Sequence, residues 1–206
     1  MNRVELKKWS KEKVKGNLKK LFPAIFVAGI ISNLTYSNTV YENGKLIVSE
    51  VSYLGFFFFF IEVGLTYFMI NFITDKKYDF NDIFAFSKDF GKLLCVGIVR
   101  VIFVALWSLL LIVPGIIKAF AYALVPMICA DEKYKDLGIT DILKKSEEMM
   151  NGRKMHYFVL ALSFIGWLLL VPFTLGIICI WLVPYMETAM TKFLYDVKCD
   201  YESKNQ

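Results

Sequence analysis

LLCVGIVRVIFVALWSLLLIVPGIIKAFAYALVPMICA, residues 93–130, is the stretch that decides the fold. It is apolar throughout apart from Arg100 and Lys118, with one proline–glycine pair, Pro114-Gly115, near its middle. As a single straight helix its roughly 38 residues would extend about 57 Å at 1.5 Å per residue. A hydrocarbon core is only about 30 Å thick and takes about 20 apolar residues per crossing. The stretch therefore reads as two antiparallel helices, 93–113 and 116–130, folded back at Pro114-Gly115, rather than as one long kinked helix.

Outward from this hairpin lie four more apolar runs, 21–36, 51–73, 155–171 and 175–194. The run 51–73 holds Phe56 to Phe60 in succession, which covers every side of a helix and leaves no polar face. Pro172 and Gly176 mark the turn between the last two runs. The predicted fold is all-α: a bundle of six transmembrane helices in three hairpins, forming a single integral-membrane domain over residues 1–206. Composition agrees. The chain is 57% hydrophobic with a mean hydropathy of +0.51, above the roughly 45–50% apolar content of soluble domains. That excludes a disordered chain and disfavours an ordinary soluble globule.

The polar segments set the orientation. Of the 24 Lys and Arg, 21 fall in residues 1–20, 74–92, 131–155 and the C-terminal tail; the exceptions are Lys45, Arg100 and Lys118. Positive charge marks cytoplasmic loops, so both termini are expected in the cytoplasm. Residues 1–20 place Leu6, Trp9, Val14 and Leu18 among eight basic residues, and read as an amphipathic helix lying on the inner leaflet. Their basic stretch is too long for a signal peptide, and no small-x-small site follows. Residues 37–51 form a polar loop, with β-prone residues after Asn43-Gly44. Residues 74–92 suit an interfacial segment with a short helix starting near Asn81 or Asp82. In 131–155, Thr140-Asp141 is expected to cap a helix that runs through Met150 and ends at Asn151-Gly152.

Three charges fall inside spans: Glu62, Arg100 and Glu187. Charge in hydrocarbon is costly, so each needs a partner or a function. Arg100 and Glu187 both lie about eight residues, or roughly 12 Å, from the inner ends of their spans, a depth that permits an ion pair. Glu62, nearer the midplane, competes for the same guanidinium. The functional reading is a proton- or ion-linked site; the structural one is an ion pair that fixes helix arrangement, or Arg100 reaching inward alone. Lys118 is expected near the outer surface. Arg153, Lys154 and His156 open the fifth span, where they suit lipid phosphates.

Pro126 and Pro184 fall inside spans and are expected to kink them. Pro114 to Pro126 and Pro172 to Pro184 are both intervals of 12 residues, with Trp107 and Trp167 shortly before the first proline of each. The two hairpins thus read either as a parallel duplication or as a chance likeness of Leu-rich helices. The four cysteines form no CxxC and no metal-spaced pair with His156, the single histidine. No P-loop, HExxH, GxSxG or GxGxxG occurs. No metal, cofactor or catalytic residue is expected, and the chain is read as not an enzyme. Its +5 net charge forms no basic stripe interleaved with aromatics, so nucleic acid is not expected as a partner.

Ser146-Glu147-Glu148-Met149-Met150-Asn151-Gly152-Arg153-Lys154 leads into Leu162-Ser163-Phe164-Ile165-Gly166-Trp167, followed by Thr174-Leu175-Gly176-Ile177 and Trp181-Leu182-Val183-Pro184-Tyr185. Together with Pro114-Gly115-Ile116-Ile117-Lys118-Ala119 and Lys15-Gly16-Asn17, these resemble the bacterial integral-membrane family called domain of unknown function 975. The resemblance is densest over residues 105–195. It implies a multi-pass protein of a bacterial plasma membrane and carries over no activity and no catalytic residue. Arg153-Lys154-Met155-His156 departs from the family's usual pattern, in which an aromatic follows the basic pair. The expected function is that of a non-enzymatic membrane subunit or scaffold, in contact with membrane lipids and with another membrane protein or a second copy of itself. The alternative is a small transporter or channel for a lipid or small solute that uses the intramembrane charges.

Overall fold

The apolar runs become helices because few polar side chains within them compete for the backbone, and a buried backbone must satisfy its own hydrogen bonds. In the computed structural model of the chain, residues 3–32, 36–42, 45–51, 59–110, 112–174 and 176–205 are described. The helices are α1 (Arg3–Lys15), α2 (Leu18–Ser32), α3 (Phe59–Ile73), α4 (Phe90–Leu110), α5 (Ile112–Ala121), α6 (Val125–Cys129), α7 (Ile139–Met149), α8 (Lys154–Leu168) and α9 (Cys179–Lys204). Between α2 and α3, β1 (Tyr36–Glu42) and β2 (Lys45–Val51) pair antiparallel from Tyr36↔Val51 to Glu42↔Lys45. The predicted turn Asn43-Gly44 lies outside the described residues, as do Phe56 to Phe58 and the end of the first span at 33–35.

The fold is thus helical apart from one hairpin. Among the described residues, one helical stretch, Phe80–Trp107, is long and apolar enough to cross a membrane; Phe59–Ile73 and Pro114–Cys129 are shorter apolar helices.

The decisive stretch does fold back. The Lys118 ammonium lies 5.1 Å from the Trp107 ring centre, whereas a continuous helix would hold positions 107 and 118 about 16 Å apart. The reversal is not at Pro114-Gly115, however. Both residues lie in the first turns of α5, where a missing N–H costs little. Pro126 does mark a local break. It stands at the start of α6, directly after a turn at 122–124 that interrupts the apolar helix Pro114–Cys129. Pro184 does sit inside a helix, α9, and the Thr188 hydroxyl donates to its carbonyl at 2.7 Å. Pro172 begins a short 3-10 turn, Pro172–Thr174, and Gly176 takes φ +80°, a left-handed value that glycine adopts without strain. The paired prolines of the two hairpins therefore occupy different local structures.

Aromatic pairs register α8 against α9. Tyr157 meets Phe193, Phe164 meets Tyr185 and Trp167 meets Trp181, with centroids 5.7, 5.2 and 6.3 Å apart. One number rises as the other falls, so the helices are antiparallel.

The expected loop helix appears as α7, but Gly138 is its N-cap, not Thr140 or Asp141. Gly152, at φ +74°, follows its end. Near Asn81, the chain forms a 3-10 turn, Phe80–Phe84, whose N-cap is Asp79.

Three apolar clusters make the core. The largest joins α3, α4, α6 and α7 to the C-terminal part of α9. A second packs α2 on α3. The third unites Leu6 of α1 with Leu160 and Phe164 of α8 and Leu182, Tyr185 and Ala189 of α9. The N-terminal helix is therefore packed on the other helices. Its buried stripe, Leu6, Ser10 and Val14, docks lengthwise on the bundle.

Candidate functional site

Contact between α3 and α4 brings Glu62 and Arg100 together. One Arg100 nitrogen, Nη1, donates to both Glu62 oxygens, at 2.9 and 3.1 Å. The guanidinium carbon also stands 5.7 Å from the Phe59 ring centre, over its face. The expectation that depth matches Arg100 to Glu187 is thereby corrected. Depth alone did not fix rotation about the helix axes, and α3 presents Glu62 to Arg100 directly. Glu187 lies on α9 within electrostatic range of Glu62 and of Tyr157. Among the described residues it makes no hydrogen bond or ion pair.

Lys118 is also corrected. Instead of reaching the outer surface, it donates to Glu147 of α7 at 2.6 and 2.9 Å. Lys154 approaches the same carboxylate at 3.9 Å. This works because α7 runs back along the bundle, where the buried Ser146 hydroxyl donates to the Ala121 carbonyl at 2.7 Å. The residues expected at lipid phosphates divide. Arg153 pairs with Asp200 at 3.0 Å and Lys154 faces Glu147, while His156 is exposed.

At the charged end of the bundle a cavity of about 840 Å³ opens between α3, α4, α6 and α9. Tyr67, Asn71, Lys92, Cys129, Tyr134 and Lys198 are among its lining residues. The Lys198 ammonium bonds Asp131, the Lys92 ammonium bonds the Lys135 carbonyl, and the Tyr134 hydroxyl donates to Glu202 at 2.7 Å. Burial alone would raise the Asp131 carboxyl. Hydrogen bonds from Lys198 and the Lys133 amide, with both positive charges, outweigh it and hold its pKa below the ordinary value. Burial, then the bond to Glu202, push the Tyr134 phenol well above its ordinary value.

Tyr67 is five residues, about 7 Å, along α3 from Glu62. The cavity thus ends roughly one helical turn short of the Glu62–Arg100 pair. Sequence reasoning found the three charges but missed this cavity, because its walls come from loops and helix ends far apart in the chain. Acid–lysine pairing in 131–135 and 198–202 was its only trace in the sequence.

The four cysteines are free thiols. No curated protein and no solved structure matches the chain. The family match falls on the C-terminal part, close to the densest stretch of the resemblance; Lys15-Gly16-Asn17 lies outside it. Residues 109–199, which carry α5 to most of α9, match the family described as "Protein of unknown function (DUF975)", and over that stretch the chain is similar to it.

Proposed function

We propose that the chain is a multi-pass protein of a bacterial plasma membrane that acts without catalysis, as a membrane subunit or scaffold. In this reading six helical segments enter as three hairpins from the cytoplasmic side. One observation carries it. Val101, Ile102, Phe103, Leu106 and Trp107 of α4 are all exposed, and the surface continues through Ile116 and Ile117 of α5 to Leu162, Ile165 and Trp167 of α8 and the α8–α9 turn. Monomeric soluble proteins rarely expose contiguous apolar patches beyond a few hundred Å². Lipid, or the apolar flank of another membrane protein, suits such a surface.

The test is native mass spectrometry of the chain released gently from its own membrane. A stoichiometric membrane protein, or a second copy, supports the subunit reading. A chain that is always alone counts against it.

A second reading, a small transporter or channel for a lipid or small solute, is favoured by Glu187, which lies within electrostatic range of Glu62 and makes no hydrogen bond or ion pair among the described residues. Vesicle flux that is lost in Glu187→Gln, with folding intact, would establish it. Flux equal to that of protein-free vesicles would exclude it.

A further inference from the structure

The charged face of α1 stands where hydrocarbon is expected. At one end Lys13 bonds Asp75 at 2.5 Å, and Asn17 accepts from the Tyr78 hydroxyl at 3.1 Å, both at the polar end of α3. At the other end the Lys7 ammonium donates to the Ser163 carbonyl at 3.0 Å and lies 4.3 Å from the Phe164 ring centre. Ser163 is nine residues past Lys154 along α8, about 13 Å beyond the residues that mark the cytoplasmic end. Helix α1 therefore climbs from the polar end into the apolar layer, beside Trp181, over which Lys11 sits at 5.8 Å.

Its buried stripe faces the bundle, so its charges face out. Arg3 and Lys8, toward the end that meets α8, and Lys15, at the polar end, are exposed and make no hydrogen bond or ion pair among the described residues. Bare cations in contact with acyl chains are costly. Water reaches Arg3 and Lys8 there only if the bilayer deforms.

A second observation points the same way. Glu147, on the water-facing helix α7, holds Lys118 only about seven residues, or roughly 10 Å, from the α4–α5 reversal. On that flank too, the apolar layer is much thinner than a hydrocarbon core of about 30 Å.

We propose that the outward face of α1 seats the phosphates of anionic phospholipids, whose headgroups are drawn below the ordinary interface along the α8–α9 flank. The proposal rests on the membrane reading above. Anionic lipid is the occupant that matches this face, where the exposed Arg3, Lys8, Lys11 and Lys15 outnumber the exposed Glu5 and Glu12, because its phosphate answers the excess charge and its chains cover the apolar belt. Thinning of the bilayer around the bundle follows.

The test places the full chain in phosphatidylcholine vesicles with increasing phosphatidylglycerol, either lipid being brominated on its chains. Quenching of tryptophan, in a Trp107→Phe/Trp167→Phe background that leaves Trp9 on α1 and Trp181 beside it, reads which lipid occupies this flank. The expected result is a preference for phosphatidylglycerol of roughly fivefold or more. The Arg3→Gln/Lys8→Gln/Lys15→Gln variant should lose most of it, while Lys144→Gln, on the far face of α7, keeps it. Should the triple variant not fold, Lys8→Gln alone, at an exposed position, carries the comparison.

Equal quenching by both lipids, or a preference unchanged in these variants, overturns the proposal. A chain that does not float with vesicles overturns the membrane reading itself, which flotation reports separately from headgroup preference.

Discussion

Arg100 shows how one side chain ties two helices. Its pair with Glu62 is partly exposed, with side-chain exposures of 24% and 43%, so it is worth less than a fully buried pair, whose rupture costs about 3–5 kcal/mol. Arg100→Ala is expected to destabilise by about 1–3 kcal/mol, read as a lower thermal midpoint in detergent. The exchange Arg100→Glu with Glu62→Arg should recover part of the loss, whereas exchange with Glu187 should not. A midpoint unchanged in Arg100→Ala would show the pair to be energetically idle. Gly64 poses a different constraint. A Cβ there would fall 1.9 Å from the Ile83 carbonyl oxygen, backbone against backbone. Gly64→Ala should destabilise by about 3 kcal/mol, because α3 and the Phe80–Phe84 turn must separate. Gly166→Ala, with open space around it, should be neutral or gain up to about 1 kcal/mol from helix propensity. Of these features, the charges Glu62 and Arg100 were visible in the sequence as polar exceptions in apolar runs. The special status of Gly64 was not, because the atom that excludes a side chain belongs to a segment nearly twenty residues away.

Between elements, the bond from Lys198 to Asp131 ties the segment after α6 to α9. Its pH dependence has a definite sign. The folded-state pKa of Asp131 is depressed, so the stabilisation is present above the unfolded value of about 3.9 and is lost as pH falls through the folded value. Asp131→Asn should lower the thermal midpoint at neutral pH and flatten its decline on the acid side of about pH 4. An acid limb as steep as that of the parent chain would place the responsible carboxylate elsewhere. Element positions were largely legible from runs and breakers: each apolar run holds a helix, although Tyr36 and Val51 at the edges of two runs belong to the β-hairpin, and α7 occupies the predicted polar segment. Their ends were less so. The α4–α5 reversal precedes Pro114 because a proline is tolerated in a helix's first turn and does not itself have to make the bend. Gly138, not a polar side chain, caps α7.

On the scale of the whole molecule, charge and apolar surface separate. Helix α7, the 131–138 segment and the end of α9 gather the ion pairs at one end, while α4, α5 and the α8–α9 turn expose aliphatic and aromatic side chains at the other. A topology with the C-terminal tail in the cytoplasm makes Cys199, which is exposed, reactive with a membrane-impermeant maleimide only after the membrane is opened. Labelling of Cys199 in intact cells would reverse the orientation.

The sequence by itself determined that this chain is helical and strongly apolar, where its helices lie, which charges interrupt them, and which family its C-terminal part resembles. All of these follow from local order: runs, breakers and spacing act over a few residues. The partner of Arg100, the pairing of Lys118 with Glu147, the lengthwise docking of α1 and the cavity between four helix ends were decided only by tertiary structure. Each depends on the rotation of one helix about its axis relative to another. That rotation is set by how the buried faces interlock, and residues distant in the chain supply the interlocking surfaces.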